Sequence, residues 1–181
     1  IGGILQPLYL GIRAVRMSPI DFLQKPIRWL QAISTYQAAT SGGPNFAYEL
    51  CVSKITAEQR ANLDLSHWTL AFSGAEPVRA DTLERFAQSF AECGFRSQAF
   101  YPCYGMAETT LIVTGGKRES ELTTLSVAEA ALTEHVVMQQ GEGEGAVTRR
   151  LVGCGAIVGD QEAIIVDPYT QQPARPEHVG E

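Results

Sequence analysis

Two short apolar stretches, each followed by a turn of small residues, constrain the fold of this chain more than any other feature. Residues 68–72 precede the turn 73–77, and residues 97–101 precede the glycine-containing stretch 101–110. Both stretches have the length and composition of buried strands, so each turn is predicted to leave the carboxyl end of a strand. In an open α/β sheet, ligands bind at that edge. The sequence therefore predicts one crevice formed by two loops.

The two turns carry chemical groups that suit a nucleotide with its metal better than a purely structural turn. Gly105 permits a close backbone approach, and Tyr104 offers an aromatic face to a flat ring. Carboxylates such as Glu76 and Glu108 provide hard oxygen ligands for a cation. From the residues alone, each group also has a structural alternative: a core tyrosine, a solvated helix glutamate, or an ordinary turn between strand and helix.

Helix and strand signals alternate along the first two thirds of the chain. Ser18 followed by proline, the capping pattern of residues 56–59, and an amphipathic run from Asp81 to Phe90 that ends at Gly94 predict helices. Residues 27–36 are also predicted to be helical, after Pro26. Strands are predicted at residues 38–40, 68–73 and 97–101. This alternation predicts a three-layer α/β fold, with a mainly parallel sheet and helices on both faces.

The last third of the chain differs in composition, with polar and acidic stretches between its apolar ones. Residues 115–121 form a polar loop and residues 141–145 are acidic and of low complexity, whereas 151–155 and 162–166 are predicted strands.

The chain has 181 residues, 45% of them hydrophobic, and a net charge of −6, which disfavours nucleic acid as a partner. Four cysteines without metal-site spacing indicate reduced thiols, and no membrane span or signal peptide is predicted. A cytoplasmic location is the resulting expectation.

Several motifs together resemble one known family. Residues 104–110, Tyr-Gly-Met-Ala-Glu-Thr-Thr, resemble the Tyr-Gly-x-x-Glu motif of the adenylate-forming ligases, and 73–77 is similar to their adenine-side turn. Residues 26–30, 41–48 and 161–168 narrow the resemblance to the fatty-acyl-AMP ligases. The similarity extends over essentially all 181 residues. It implies a single α/β subdomain of an AMP-binding ligase domain, with a family-specific insertion at about 116–150.

The resemblance also implies roles for individual residues. Tyr104 would stack on adenine, and Glu108, expected one helical turn further on the same face, would be the catalytic magnesium ligand. The remaining nucleotide contacts would come from Gly74, Ala75, Glu76, Gly105, Met106 and Thr109. The acyl substrate would lie beside Gly42, Gly43, Asn45 and Phe46. For residues 42–48 the residues themselves favour a plainer interpretation, a Gly-Gly-Pro sequence that opens a helix.

The implied activity is the activation of a fatty acid with ATP and Mg²⁺ to an acyl-adenylate. The acyl group would then pass to the phosphopantetheine thiol of an acyl carrier protein. A glycine- and serine-rich loop ending in lysine is missing, so about half of one active site is expected here, the remaining subdomains of the parent ligase supplying the rest. The chain alone is predicted to be inactive. An acyl-CoA ligase and a non-catalytic nucleotide-binding or assembly module remain as alternatives.

Overall fold

The chain folds around a five-stranded sheet, in a computed structural model that describes residues 2–140 and 147–181. The strand order is β1-β2-β3-β4-β7, and β5 pairs with β6 in a separate two-stranded sheet. The strands are β1 (Thr40–Gly43), β2 (Leu70–Ser73), β3 (Phe100–Tyr104), β4 (Thr114–Gly115), β5 (Thr124–Ala128), β6 (Thr148–Val152) and β7 (Ala156–Ile157). The α-helices are α1 (Leu5–Leu10), α2 (Pro19–Gln24), α3 (Ile27–Tyr36), α4 (Asn45–Lys54), α5 (Ala57–Arg60), α6 (Ala80–Phe90) and α7 (Glu129–Thr133).

The sheet is mixed, and its parallel part carries the fold-defining connections. β1, β2 and β3 run parallel, joined by helical crossovers, whereas β4 and β7 add antiparallel pairs at the far edge. The predicted α/β fold is confirmed. Two strand predictions were placed too early: β1 begins at Thr40 rather than 38, and residues 97–99 form a 3-10 turn before β3.

Helices α3, α4 and α6 cover one face of the sheet and build the core. Tyr48, Trp68 and Phe86 are fully buried there, and Tyr48 meets Phe86 edge-to-face with ring centroids 5.1 Å apart. Such aromatic pairs contribute about 0.5–1.5 kcal/mol each beyond the burial of their surface. The opposite face is more open, since Phe72 remains 38% exposed.

The local helix signals are confirmed. The Ser18 hydroxyl accepts a hydrogen bond from the Ile20 N–H, and Thr56 and Gln59 form a reciprocal capping box. α6 begins at Ala80, one residue before the predicted start. A short 3-10 turn follows α6, and the helical stretch ends at Gly94, whose φ of 84° lies in the left-handed region.

The described residues between 116 and 150 contain structure of their own and pack against the body. β5, α7 and the first three residues of β6 lie there, Val127 of β5 is fully buried, and Leu122 packs on the main core. The predicted acidic run at 141–145 lies outside the described residues.

The C-terminal stretch corrects two predictions. β6 ends at Val152, so the strand predicted at 151–155 is shifted towards the N-terminus. The strand predicted at 162–166 is wrong: Ile164 and Ile165 are exposed, and Val166 makes only an isolated bridge to Pro173 and a hydrogen-bonded pair with Glu181. Among the described helices, none has the length and apolar character needed to cross a bilayer.

Candidate functional site

The carboxyl ends of the three parallel strands lie at one edge of the sheet. Gly43 of β1 pairs with Ser73 of β2, which in turn pairs with Pro102 of β3. β1 and β2 end at this level, whereas β3 continues for two more residues to Tyr104. The segments that follow, beginning at Pro44, Gly74 and Gly105, therefore leave the sheet at the same edge. This is the edge where ligands bind in open α/β sheets, so the predicted convergence of loops is present.

The turn after β2 has a strained backbone, and its carboxylate is hydrogen-bonded within the protein. Ala75 has a φ of 66°, in the left-handed region that non-glycine residues rarely adopt. The Glu76 carboxylate accepts a 2.6 Å hydrogen bond from the backbone N–H of Phe46. Its side chain therefore binds within the protein, which leaves the backbone of residues 74–76 as the part of this turn that can face a ligand.

The side chain of Asn45, which was predicted to lie beside the acyl group, is hydrogen-bonded within the protein. It is 7% exposed, its Oδ1 accepts from the Arg79 N–H at 3.0 Å, and its Nδ2 donates to Thr82 Oγ1 at 3.4 Å. Both polar groups of the side chain are thus used at the start of α6. Phe46, the next residue, is 48% exposed and remains able to contact a ligand.

Gly42 and Gly43 are the last two residues of β1, and α4 begins at Asn45 directly after Pro44. The plainer interpretation, a Gly-Gly-Pro sequence that opens a helix, is therefore confirmed as a description of the local structure. At Gly42 a side chain would overlap the carbonyl oxygen and the ring of Phe72. Packing inside the sheet is sufficient reason for this glycine.

Tyr104 and Glu108 do not share a helix. Tyr104 is the last residue of β3, and Glu108 lies in a 3-10 turn, Ala107–Thr109, after two intervening residues. The expected helical turn between them is wrong, because four residues that leave a strand in extended form do not return to the same face. Both side chains are nevertheless exposed, Tyr104 by 50%, on the loop that follows β3.

The other residues of this loop are arranged by its own backbone contacts. The Thr109 hydroxyl donates to the Met106 carbonyl at 3.1 Å, and the Met106 side chain is exposed. A side chain at Gly105 would overlap the Leu111 carbonyl, so the loop closes on itself at this glycine. Gly105 thus allows a tight loop, and the close ligand approach inferred from the sequence is not required to explain it.

Glu108 is the candidate metal ligand at this edge. The part of the chain that the structure describes contains no group of three or more His, Cys, Asp or Glu side chains able to hold a metal ion. A single exposed carboxylate fits Mg²⁺, which keeps several waters and is usually held by one or two carboxylates together with substrate phosphates. The residues present therefore fit a nucleotide-bound magnesium and not a cage made by this chain alone.

A charged network beside the edge was not found from the sequence. Arg85 of α6 bonds both carboxylate oxygens of Glu49 of α4, and Thr82 also donates to Glu49. These residues border a cavity of about 450 Å³ together with Phe46 and Glu76. The partners lie 33 to 36 positions apart in the sequence, so no local sequence pattern indicates that they interact.

The cysteine thiols are shielded rather than activated. Burial raises the pKa of Cys51 to about 12, and burial also raises the pKa of Cys103 and of Cys154. A nucleophilic thiol needs the opposite shift. Thiol catalysis by these three residues is therefore disfavoured.

The comparisons with known proteins identify the family of the chain. The model of the AMP-binding enzyme family matches residues 1–181, and the chain belongs to that family. A medium-chain fatty acid–[acyl-carrier-protein] ligase of Moorena producens is 49% identical over 183 aligned residues, which cover 100% of this chain and 31% of that protein. A ligase of the same description from Teredinibacter turnerae is 45% identical, with 100% and 28% covered.

A solved structure gives the same result. The fatty acyl-adenylate ligase of Legionella pneumophila, in complex with acyl adenylate and pyrophosphate, superposes with a TM-score of 0.92 at 49% identity, covering 99% of this chain and 31% of that one. The resemblance inferred from the motifs is confirmed. The chain spans about 31% of the length of the first of these relatives.

Proposed function

We propose that this chain is the nucleotide-facing subdomain of a ligase that activates a fatty acid with ATP. The observation that carries the proposal is the position of Tyr104 and Glu108, a half-exposed ring and an exposed carboxylate on the loop after β3. That loop leaves the sheet at the same edge as the 73–77 turn. The names of the relatives, which include fatty acid ligases and a complex with acyl adenylate, support the choice of substrate.

In this reaction a carboxylate oxygen of the fatty acid attacks the α-phosphorus of ATP. The new bond joins the acyl oxygen to phosphorus, the α–β phosphoanhydride bond breaks, and pyrophosphate leaves with the bonding electrons. Tyr104 would stack on adenine, while the backbone of Gly74, Ala75 and Glu76 borders the other side of the base. Phe46 would provide apolar wall for the acyl chain. The remaining phosphate contacts would come from other parts of the longer ligase.

Glu108 would hold Mg²⁺ bound to the ATP phosphates, and the bound ion neutralises charge that develops during phosphoryl transfer. Gly105 shapes the loop that presents Glu108, and Met106 accepts the hydrogen bond that orients Thr109. The Thr109 hydroxyl could donate to a phosphate oxygen after releasing the Met106 carbonyl. Glu108 is therefore the residue whose loss separates catalysis from folding most cleanly.

The acyl group would next pass to the phosphopantetheine thiol of an acyl carrier protein, the acceptor that the names of the first two relatives state for those proteins. We assign the choice of acceptor to residues 116–150, the proposed insertion. Arg150 of β6 binds Glu84 of α6 with two hydrogen bonds of 2.8 and 2.7 Å, and also pairs with Asp81. A segment held on α6 in this way can restrict the approach of free CoA while a carrier-bound arm enters by another route.

The first test is pyrophosphate release by the full-length ligase in the presence of fatty acid and ATP. Glu108→Ala is expected to lower the rate by roughly a hundredfold or more, because a positioned metal contact in the transition state is lost. Glu92→Ala is the matched control, since Glu92 is also exposed in a 3-10 turn but lies at the opposite end of α6 from the site. Activity of Glu108→Ala within a few-fold of wild type at limiting Mg²⁺ would contradict the metal role.

The alternative functions give different outcomes in the same assay. An acyl-CoA ligase would consume free CoA after adenylation, whereas a non-catalytic nucleotide-binding module would bind ATP without releasing pyrophosphate. Supplying CoA, or a carrier protein that bears a free phosphopantetheine thiol, in parallel reactions therefore decides among the three.

A further inference from the structure

The first turn of α4 is joined to the stretch 76–85 by a continuous set of hydrogen bonds. The Glu76 carboxylate accepts from the Phe46 N–H at 2.6 Å, and Asn45 bonds the Arg79 N–H and the Thr82 hydroxyl. These links cross from the end of β1 to the end of β2. They join the acyl-side segment, residues 42–48, to the adenine-side turn, residues 73–77.

The Glu76 bond differs in kind from the others. The first N–H groups of a helix lack partners inside the helix, and a carboxylate there forms a charge-assisted bond favoured by the helix dipole. The neighbouring Ala47 N–H bonds the Pro44 carbonyl, so Phe46 depends on Glu76 for its partner. Asn45 is buried, whereas Glu76 is exposed, so the Glu76 link can open while the Asn45 links hold.

We propose that Glu76 is a positioning residue that couples the two binding segments. A nucleotide held by the backbone of residues 74–76 fixes the turn, the carboxylate then fixes Phe46, and the exposed Phe46 ring is set for the acyl chain. This inference rests on the proposed function, because it takes the two segments as the nucleotide and acyl sides of one site. It assigns to the Glu76 side chain a role that is not contact with the nucleotide.

The coupling can be measured without turnover, in the full-length ligase, with AMP and decanoate as probes. In the wild type, saturating AMP is expected to lower the Kd for decanoate by about fivefold to tenfold, the ordinary range for linked sites. In Glu76→Ala that effect should vanish, and hydrogen exchange at the Phe46 amide should accelerate by about tenfold. Glu76→Gln keeps an acceptor oxygen and should restore part of both. Glu92→Ala should match the wild type.

The outcomes separate the coupling from simple helix capping. Faster Phe46 exchange in Glu76→Ala with the AMP effect intact would mean that Glu76 only caps α4, and unchanged exchange would mean that the bond is absent in solution. Each result overturns the proposal. Wild-type ligase that releases no pyrophosphate with decanoate and ATP would overturn the proposed function and the coupling that rests on it. The exchange rate of Phe46 would still decide whether Glu76 holds α4.

Discussion

Asn45 shows how a residue beside a ligand segment can serve the fold. Its oxygen accepts from the Arg79 N–H and its amide donates to Thr82, and Asn45 and Thr82 are both buried where α4 meets the start of α6. A missing partner for a buried donor is costly, whereas the bond itself contributes little net free energy. The role of Asn45 is therefore to satisfy the backbone where α4 meets α6.

Asn45→Ala is expected to lower the free energy of unfolding of the chain by about 1–3 kcal/mol, because the Arg79 N–H loses its acceptor. Urea denaturation at low micromolar concentration measures this change. Asn62→Ala is the control, since Asn62 is exposed and its truncation should stay within about 0.5 kcal/mol of the wild type. Equal stability of the two variants would show that water replaces the Asn45 side chain.

Cys51 gives the chain a pH dependence in the alkaline range. Burial raises the folded pKa to about 12 from an ordinary value near 9, so the folded state holds its proton more tightly than the unfolded state. This contribution to stability is complete below about pH 9 and is lost as the pH rises towards 12, by at most about 1.4 kcal/mol per pH unit. Denaturation curves from pH 8 to 10.5 should show the decline. In Cys51→Ala the decline should be shallower, and an identical slope would assign it to other groups.

Elements whose signals are local could be predicted from the sequence. The cap at Ser18, the capping box at Thr56 and the amphipathic face of α6 each depend on residues within one or two turns of helix, and the structure has all three. The boundary of β3 could not be predicted, because Pro102 lies inside this strand and proline argues against a central position in a sheet. The helical turn expected between Tyr104 and Glu108 rested on their four-residue spacing, which does not reveal that Tyr104 ends a strand.

Hydrogen bonds between elements that are distant in the sequence could not be predicted from it. Arg150 and Glu84 are 66 positions apart, and Asn45 and Arg79 are 34 apart. The motifs identified which loops form the edge, whereas the bonds that set those loops in place depend on the tertiary structure. The uses of Asn45 and Glu76 inside the protein were missed for this reason.

The two-stranded sheet of β5 and β6 is expected to depend on Arg150 for its position. Hydrogen bonds to Glu84 and Asp81 raise the Arg150 pKa, so the side chain stays charged. Because the partners are partly exposed, the bonds should contribute only about 0.2–1 kcal/mol to overall stability. Arg150→Ala should therefore speed hydrogen exchange in β5 and β6 with little change in the stability of the chain.

Arg149→Ala is the neighbouring control, because Arg149 is exposed and alternates with Arg150 along β6. Equal exchange in the two variants would show that apolar contacts such as those of Leu122 hold the sheet without the ion pairs.

At the scale of the whole molecule, the proposed insertion gives a test of acceptor choice. Deletion of residues 116–150 from the full-length ligase is expected to raise acyl-CoA formation from near zero while acyl-adenylate formation persists, because the obstacle to free CoA is removed. Chromatographic detection of both products in one reaction measures this. A deletion enzyme that still forms adenylate and still ignores CoA would contradict the assignment.

The uneven covering of the main sheet has a practical consequence for handling the isolated chain. Phe72 on the open face and Tyr104 and Met106 at the ligand edge expose large apolar side chains, in addition to those along α1. Exposed apolar side chains of this kind promote association between copies, and a net charge of −6 opposes it only while salt is low. The chain should therefore aggregate more readily as ionic strength rises. Dilute, low-salt buffers are the suitable conditions for purifying it.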